Sequence, residues 1–409
     1  MITGDTNFHV TSENYRKYAD RQIIEATESG RITPDDAALI TEFISELKAT
    51  AQISAGRAYK LQYLIVGWRT FLPPFKEVNT KAAHAGIEKI KTAKGENGNP
   101  QYKTVTQGDY IKTLKRFLTW MEENDHAHPD LNLAKLKKIK SPGYRSLKTA
   151  EQILTPDEIV RLISATDNTR DRCFVALLYE SACRIGELGV MKWNQVKFTD
   201  VNVVLNTAEK TGKGRFIPIF MAVEYLKRWY DDYPGGTPGP DDHVFVNLKS
   251  RDPLVYRTYA YMLEKTAKAA GIEKVFTPHT LRHSRITHLI KSGYSESTIK
   301  KVAWGSLSSN MLANYAHLTD DDIESEYCER LGILKVDRSA ETATLEPKQC
   351  PVCKTLCSPM SNFCNKCGKP LTVEASSEVE NDEKFIEQQF SPDDMDMLRK
   401  LLAKMKGEE

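Results

Sequence analysis

The stretch PHTLRHSRITHL, residues 278–289, holds three histidines and two arginines in twelve residues. Histidine is the side chain whose ordinary pKa lies nearest neutrality, and a guanidinium stays charged while offering paired donors to phosphate or carboxylate oxygens. Such a cluster suits anion binding coupled to proton transfer. His279 and Arg282 stand three residues apart, about 60° around a helix, so both can face one anion. A second concentration of chemistry is CPVCKTLCSPMSNFCNKCGKPL, residues 350–371, with five of the eight cysteines and a C-x-x-C pair at each end. Two such pairs ten residues apart have the spacing of a zinc ribbon, where tetrahedral thiolate coordination replaces a core too small to fold alone. Cys350, Cys353, Cys364 and Cys367 are the expected ligands, with Cys357 as an alternative to Cys353. Redox-active pairs and disulfides are the competing readings, and a reducing compartment disfavours them. Cys173, Cys183 and Cys328 read as ordinary buried cysteines.

Four further side chains have ordinary explanations when taken singly. Arg184 lies where the apolar run of RDRCFVALLYESACRIGELGVMKW meets a glycine-punctuated turn, and a pair with Glu187 accounts for it. Lys210 and Lys213 fall at the tip of VNVVLNTAEKTGKGRFIPI, whose β-branched runs around a Lys/Gly/Thr turn predict a hairpin or small sheet. A lysine there is usually just solvated. Tyr315, between NMLAN and AHLTDDD, reads as a boundary residue of a helical region.

The elements that must position these residues follow from period and punctuation. With 409 residues the chain is too long for one ordinary core, so two large domains and a smaller appendage are expected. Residues from about 10 to 145 carry apolar positions at helical spacing, as in YKLQYLIVGWRTFL and YIKTLKRFLTWMEE, and predict an all-helical domain over 1–145. A second domain opens near Leu154 with TPDEIVRLISAT, in which Thr155 caps, Pro156 takes the first helical position and Glu158 completes a capping box. Between them lies a basic linker, residues 146–153, at the end of the lysine-rich LAKLKKIKSPGYRSLK. No apolar run reaches the ~18–20 residues of a membrane span, and the first residues lack the order of a signal peptide, so a cytoplasmic protein is expected. The net charge of +2 hides an asymmetry. Residues 371–409 hold eleven acidic and five basic side chains, net −6, leaving +8 on residues 1–370. A moderately basic body suits a polyanionic partner, with linker lysines along phosphates. The acidic EASSEVENDEKF reads as a tether to a capped amphipathic helix, SPDDMDMLRKLLAKMK.

The order Arg184, Lys210, His279-x-x-Arg282, Trp304, Tyr315 resembles the active-site pattern of the tyrosine recombinase (phage integrase) family. ACRIGEL, EKTGKGRFIPI, TPHTLRHSRITHL and NYAHL carry the resemblance across residues 154–333, and the C-terminal ribbon is similar to that of some archaeal-type members. WGSLSSNMLANY is about one residue longer between tryptophan and tyrosine than in those members.

The resemblance implies a fold that is mainly α with a small antiparallel β-sheet in the catalytic domain, an α+β arrangement. A helical core-binding domain (1–145) would be followed by the recombinase catalytic domain (154–338), a zinc-ribbon-like module (347–372) and an acidic tether with its helix (373–409). It implies a site-specific DNA recombinase, an integrase or excisionase of a mobile element, in which Tyr315 attacks a phosphodiester. Arg184 and Arg282 would hold the non-bridging oxygens. His279 and Trp304 would donate to the phosphate, and Lys210, with Lys213 as rival, would protonate the leaving 5′-oxygen. Glu187 would orient Arg184. Tyr294 and Tyr327 are competing tyrosines whose neighbours do not match. His283 would be a structural helix residue, and Arg285 and His288 would turn to other faces, toward DNA backbone or water. Partners would be double-stranded DNA and three further copies of the chain, a homotetramer on paired sites. No nucleotide cofactor or catalytic metal is implied, and structural Zn²⁺ is expected. Other readings are a DNA-binding protein on the same fold that no longer cuts, Xer-like dimer resolution, and a type IB topoisomerase.

Overall fold

The computed structural model describes residues 8, 10–142, 152–207, 214–274, 276–315, 345–389 and 397. The chain folds into two compact units, His9–Leu147 and Met1–Phe8 with Lys148–Glu409. Lys210, Lys213, Tyr327, Cys328, the amphipathic stretch 391–396 and 398–406, and most of the basic linker lie outside the described residues.

The first unit is helical: α1 (Ser12–Glu28), α2 (Pro34–Thr50), α3 (Ala55–Trp68), α4 (Thr80–Thr92), α5 (Thr104–Glu123) and α6 (Leu133–Lys137). Their apolar stripes close on one core around Phe43, Trp68, Phe75 and Phe117. Asp36 does two jobs there. As third residue of α2 it completes a capping box with Thr33, and its buried carboxylate also accepts from Phe75 N at 2.8 Å and Arg69 Nε at 2.7 Å. A buried carboxylate is tolerated because every direction it faces holds a donor.

The second unit begins with α7 (Pro156–Ser164), capped as its sequence requires: Glu158 N donates to Thr155 Oγ1 and Thr155 N to Glu158 Oε2. Helix α8 (Thr169–Glu180) is buried from Cys173 to Glu180, so it is the central post of this unit. A turn leads to α9 (Ile185–Leu188) and then to strands β1 (Val196–Phe198), β2 (Val203–Thr207) and β3 (Arg215–Ile219). They form an antiparallel sheet in that order, with Leu205 opposite Ile217 and Thr207 opposite Arg215. Helices α10 (Val223–Asp231), α11 (Tyr256–Ala269), α12 (Pro278–Lys291) and α13 (Glu296–Trp304) complete the body. A mainly helical protein with small antiparallel sheets is therefore the observed fold.

Two expectations need correction. Phe8, assigned from sequence to the helical domain, belongs to the second unit's core, where its ring meets Tyr256 and Tyr259 at 5.8 and 5.6 Å. Gly189 makes room for it, since a Cβ there would come within 2.4 Å of the Phe8 ring. The acidic stretch read as a tether is instead a helix, α14 (Val373–Gln389), started by Thr372 Oγ1 accepting from Ala375 N. Glu, Ala, Lys and Gln are good helix formers, and high charge alone does not prevent a capped helix.

Residues 345–371 form a small module with a two-residue hairpin, β4 (Lys348–Gln349) and β5 (Leu356–Cys357). It is stitched to α10. Buried Ser358 donates through its backbone N to Glu224 Oε2 at 3.1 Å and shares a 2.6 Å hydrogen bond with Tyr225, while Ser361 Oγ reaches Glu224 Oε2 at 2.8 Å. Leu345 and Met360 pack on the main core of the unit.

Candidate active site and thiolate cluster

The turn after α8 is built for close approach. Ala182 is fully buried at φ 48°, a left-handed conformation that costs a residue with a Cβ about 1–2 kcal/mol. Its carbonyl thereby faces α12 and accepts from Arg282 Nη1. Two residues on, Arg184 caps α9 with extended backbone, leaving its side chain half exposed. Glu187, one turn into α9, receives Arg184 N at 2.6 Å and Arg184 Nη1 at 2.9 Å. The expected pair of Arg184 with Glu187 is present.

Arg282 is only 4% exposed. Besides Ala182 O, it donates Nη2 to Ala303 O at 2.7 Å, near the end of α13. Its guanidinium lies 5.6 Å from the Trp304 ring centroid, and that ring is 5.8 Å from the Tyr315 ring. Gly305, at φ 71°, ends α13 in the left-handed region and turns the chain toward Tyr315. The Tyr315 phenol pKa lies above its ordinary value, because burial outweighs the charge and hydrogen-bonding of Arg282 and the charge of Arg184, which pull it down. Burial, with the charges of Arg184 and Arg215, brings Arg282 down to about 10. Arg184 and Arg215 thus meet on one carboxylate, Glu187, while Arg282 and Arg184 bear on the half-buried Tyr315. Such a site is short of negative charge, and a bound anion would relieve it.

Of the residues expected at the site, Arg184, Arg282, Trp304 and Tyr315 come together. His279 is exposed in the first turn of α12, its ring 6.4 Å from that of His283. His283 is closer to the tyrosine than its structural assignment implies, with ring centroids 5.0 Å apart. Its i+4 spacing from His279 and its place beside Arg282 were the available signals. Tyr294 is 53% exposed, beyond the end of α12.

Arg285 and His288, expected to turn toward DNA backbone or water, are half-buried and turn in part to protein. Arg285 lies over the Tyr179 ring at 5.5 Å and donates to Glu180 O, and His288 Nδ1 meets the Tyr179 hydroxyl at 2.9 Å. Helix α12 packs against both α8 and α13, so the face expected to be wet is half-buried. Burial and the neighbouring Arg285 and Lys291 charges hold the His288 pKa down to about 4.

A residue not singled out from sequence lies deepest in the network. Arg215, 5% exposed, donates to Val302 O at 3.0 Å, Ala303 O at 2.8 Å, Cys183 Sγ at 3.6 Å and Glu187 Oε2. The strand RFIPI shows the signal. Strand alternation puts Arg215 on the same face as Ile217 and Ile219, both fully buried, so the guanidinium had to be inside and satisfied.

In the small module the Sγ atoms of Cys350, Cys353, Cys364 and Cys367 all lie within 4.8 Å of one another, with the 350–367 and 353–364 pairs at 3.5 Å. Four thiolates about 2.3 Å from one zinc ion have edges of about 3.8 Å in a tetrahedron, so this donor set fits Zn²⁺. Cys357 is not part of it; its sulfur faces Asn365 Oδ1 at 3.8 Å. The geometry thus favours Cys353 over Cys357 in the donor set. Cys173 and Cys183 are buried.

Residues 152–322 match the sequence model of the phage integrase family. The chain is 29% identical over 252 residues to transposase A from transposon Tn554 of Staphylococcus aureus, covering 59% of this chain and 62% of that protein. It is 32% identical over 180 residues to the tyrosine recombinase XerA of Pyrococcus horikoshii, covering 42% of this chain and 58% of that one. The chain thus spans about three fifths of the length of these two relatives. Two solved structures share its fold: a lambda integrase (75–356) dimer bound to a COC′ core site, and the Tn1549 transposon integrase (82–397) in complex with circular intermediate DNA. The first covers 69% of this chain and 97% of its own at 20% identity, the second 71% and 98% at 18%, each with a TM-score of 0.53. Among the described residues, no helix is long and apolar enough to cross a membrane.

Proposed function

We propose that this chain, whose residues 152–322 carry the phage integrase pattern, is a site-specific recombinase that cleaves and rejoins double-stranded DNA through Tyr315. The observation that carries this reading is the convergence of Arg184, Arg282 and Trp304 on the half-buried Tyr315. A phenol with an ordinary pKa near 10 is a weak nucleophile, and a phosphodiester repels anions. Guanidinium groups answer both difficulties: they lower the cost of phenolate character and neutralise charge building on the non-bridging oxygens.

In the forward step the Tyr315 oxygen bonds to phosphorus as the bond to the 5′-oxygen breaks. The phenol gives up its proton and the departing oxygen gains one. The product is a 3′-phosphotyrosyl link and a free 5′-hydroxyl. A phosphodiester bond has been exchanged for another of similar energy, so attack by a different 5′-hydroxyl rejoins strands with no nucleotide cofactor. Arg184 and Arg282 bind the phosphate, and Trp304 and exposed His279 are its further donors. Lys210 is the acid for the leaving oxygen. His279, at the open end of α12, also moves protons.

The biological role is integration and excision of a mobile element, in keeping with the transposase A relative and the transposon integrase fold match. Xer-like dimer resolution is the second reading, favoured by the similarity to tyrosine recombinases XerA and XerD. Paired DNA sites would be held by four copies of the chain, as in the lambda integrase tetramer bound to a Holliday junction. Cys350, Cys353, Cys364 and Cys367 hold a structural Zn²⁺ that supplies folding energy to their module and takes no part in strand exchange.

A pool of nicked duplexes with randomised arms, on which cleavage releases a short fragment and traps the enzyme, tests the reaction. The expected result is a denaturation-resistant protein–DNA adduct from which one sequence motif is recovered. A folded chain that binds the pool without forming any adduct supports a non-cutting DNA-binding protein instead. Adducts without sequence preference, with supercoil relaxation, support a type IB topoisomerase.

A further inference from the structure

We infer that Arg215 is a positioning residue of the active site, holding Arg184 and Arg282 in register with each other from behind, without touching DNA itself. The inference rests on the strand-cleavage reading above. Its side chain is 3% exposed, so it is out of reach of a substrate phosphate. Its donors are spent on three separate pieces of the site. One goes to the carboxylate of Glu187, which in turn holds both the backbone N and the Nη1 of Arg184. Two go to Val302 O and Ala303 O, and the Ala303 oxygen also takes Nη2 of Arg282. The fourth contact, Cys183 Sγ, lies in the turn between Ala182, whose carbonyl holds Arg282, and Arg184.

A continuous chain therefore runs from Arg184 through Glu187, Arg215 and Ala303 to Arg282. Arg184 is half exposed on a flexible stem, and only Glu187 among its described hydrogen-bond partners gives it a direction. Glu187 could follow Arg184 outward if nothing else held it. Arg215 does hold it, and its charge, with that of Arg184, keeps the Glu187 carboxyl below the usual range despite burial. A lysine cannot replace this arrangement: one ammonium cannot span acceptors spread around a planar fork.

The test uses the full chain and the DNA motif recovered by covalent capture. For Arg215→Lys, adduct formation at saturating DNA should slow about a hundredfold, the loss expected when a preorganised donor is misplaced. DNA affinity should stay within about threefold, because the residue makes no substrate contact. Glu187→Gln should slow the reaction too, and Arg215→Lys combined with Glu187→Gln should be slowed by less than the product of the two single effects, since both act on Arg184 through one link. Arg215→Gln repeats the measurement should the lysine variant melt below the assay temperature. An unchanged adduct rate in a folded Arg215→Lys protein overturns the inference, as do multiplicative effects of the two substitutions or losses that track the unfolded fraction in both Arg215 variants. A wild-type chain that forms no adduct would overturn the cleavage reading and this inference together, a result distinct from an active wild type with an equally active variant.

Discussion

Arg215 and Arg282 donate to the same backbone oxygen, that of Ala303, at 2.8 and 2.7 Å. Two buried guanidinium groups at one carbonyl are stable only because each has further acceptors and Glu187 stands beside them. The arrangement separates the two arginines proposed to hold phosphate. Arg282 is a structural member of the site, whereas Arg184 is held from one side and open on the other.

That difference predicts different outcomes for removing them. Arg282→Ala takes the donor from the buried Ala182 carbonyl, at ~1–3 kcal/mol, while Ala303 O keeps Arg215, so thermal stability should fall along with cleavage. Arg184→Ala loses a half-exposed ion pair worth ~0–1 kcal/mol and should melt nearly as the wild type does. Both should lose about a hundredfold or more in adduct formation. Calorimetry beside the cleavage assay checks this, and a strongly destabilised Arg184→Ala with an unaffected Arg282→Ala would contradict the assignment.

Zinc removal should act beyond the small module. Ser358 and Ser361 tie that module to Glu224 and Tyr225 of α10, and Met360 packs on the main core. Atomic absorption should find one zinc per chain, and chelation or Cys364→Ser should lower the melting temperature of the catalytic unit. A chain purified without zinc that melts identically before and after chelator argues against a structural metal.

His288 makes stability pH-dependent. Its folded-state pKa of about 4 lies below the ordinary 6.5, so the unfolded chain binds the extra proton first. The contribution is fully present above about pH 6.5 and is lost as pH falls toward 4, by up to ~2–3 kcal/mol. Arg285 and Lys291 are the charges that oppose protonation. Urea unfolding of wild type and His288→Gln between pH 7 and 4 should show a shallower slope in the variant, and parallel slopes would refute the assignment.

Asp36 gives a prediction for the helical unit alone. Asp36→Ala strands Arg69 and the Phe75 N–H at a buried junction, and should cost ~3–5 kcal/mol of that unit's stability. Equilibrium unfolding that leaves this unit's transition unmoved would contradict the role given to the carboxylate.

Much of this was legible in the amino-acid sequence because it depends on near neighbours. The Thr155–Glu158 box, the β2–β3 hairpin and the cysteine cluster each follow from residues a few positions apart. Even there, only geometry separates Cys353 from Cys357. What was hidden depends on which faces of a helix are covered. α12 reads as a helix with a wet side, yet α8 and α13 pack against it, and so Arg285 and His288 are half-buried where solvent was expected. The role of Arg215 was hidden for the same reason, since its partners are 28 to 88 residues away. In the acidic α14, helix propensity outweighs the charge that suggested a tether.

The central claim is that Tyr315 becomes joined to DNA. Peptide mapping by mass spectrometry of the trapped adduct, after nuclease trimming, tests it most directly. The predicted result is a nucleotide on the peptide containing Tyr315, linked through its 3′-phosphate, and no adduct from Tyr315→Phe. A nucleotide on Tyr294 or Tyr327, or an undiminished adduct from Tyr315→Phe, would contradict it.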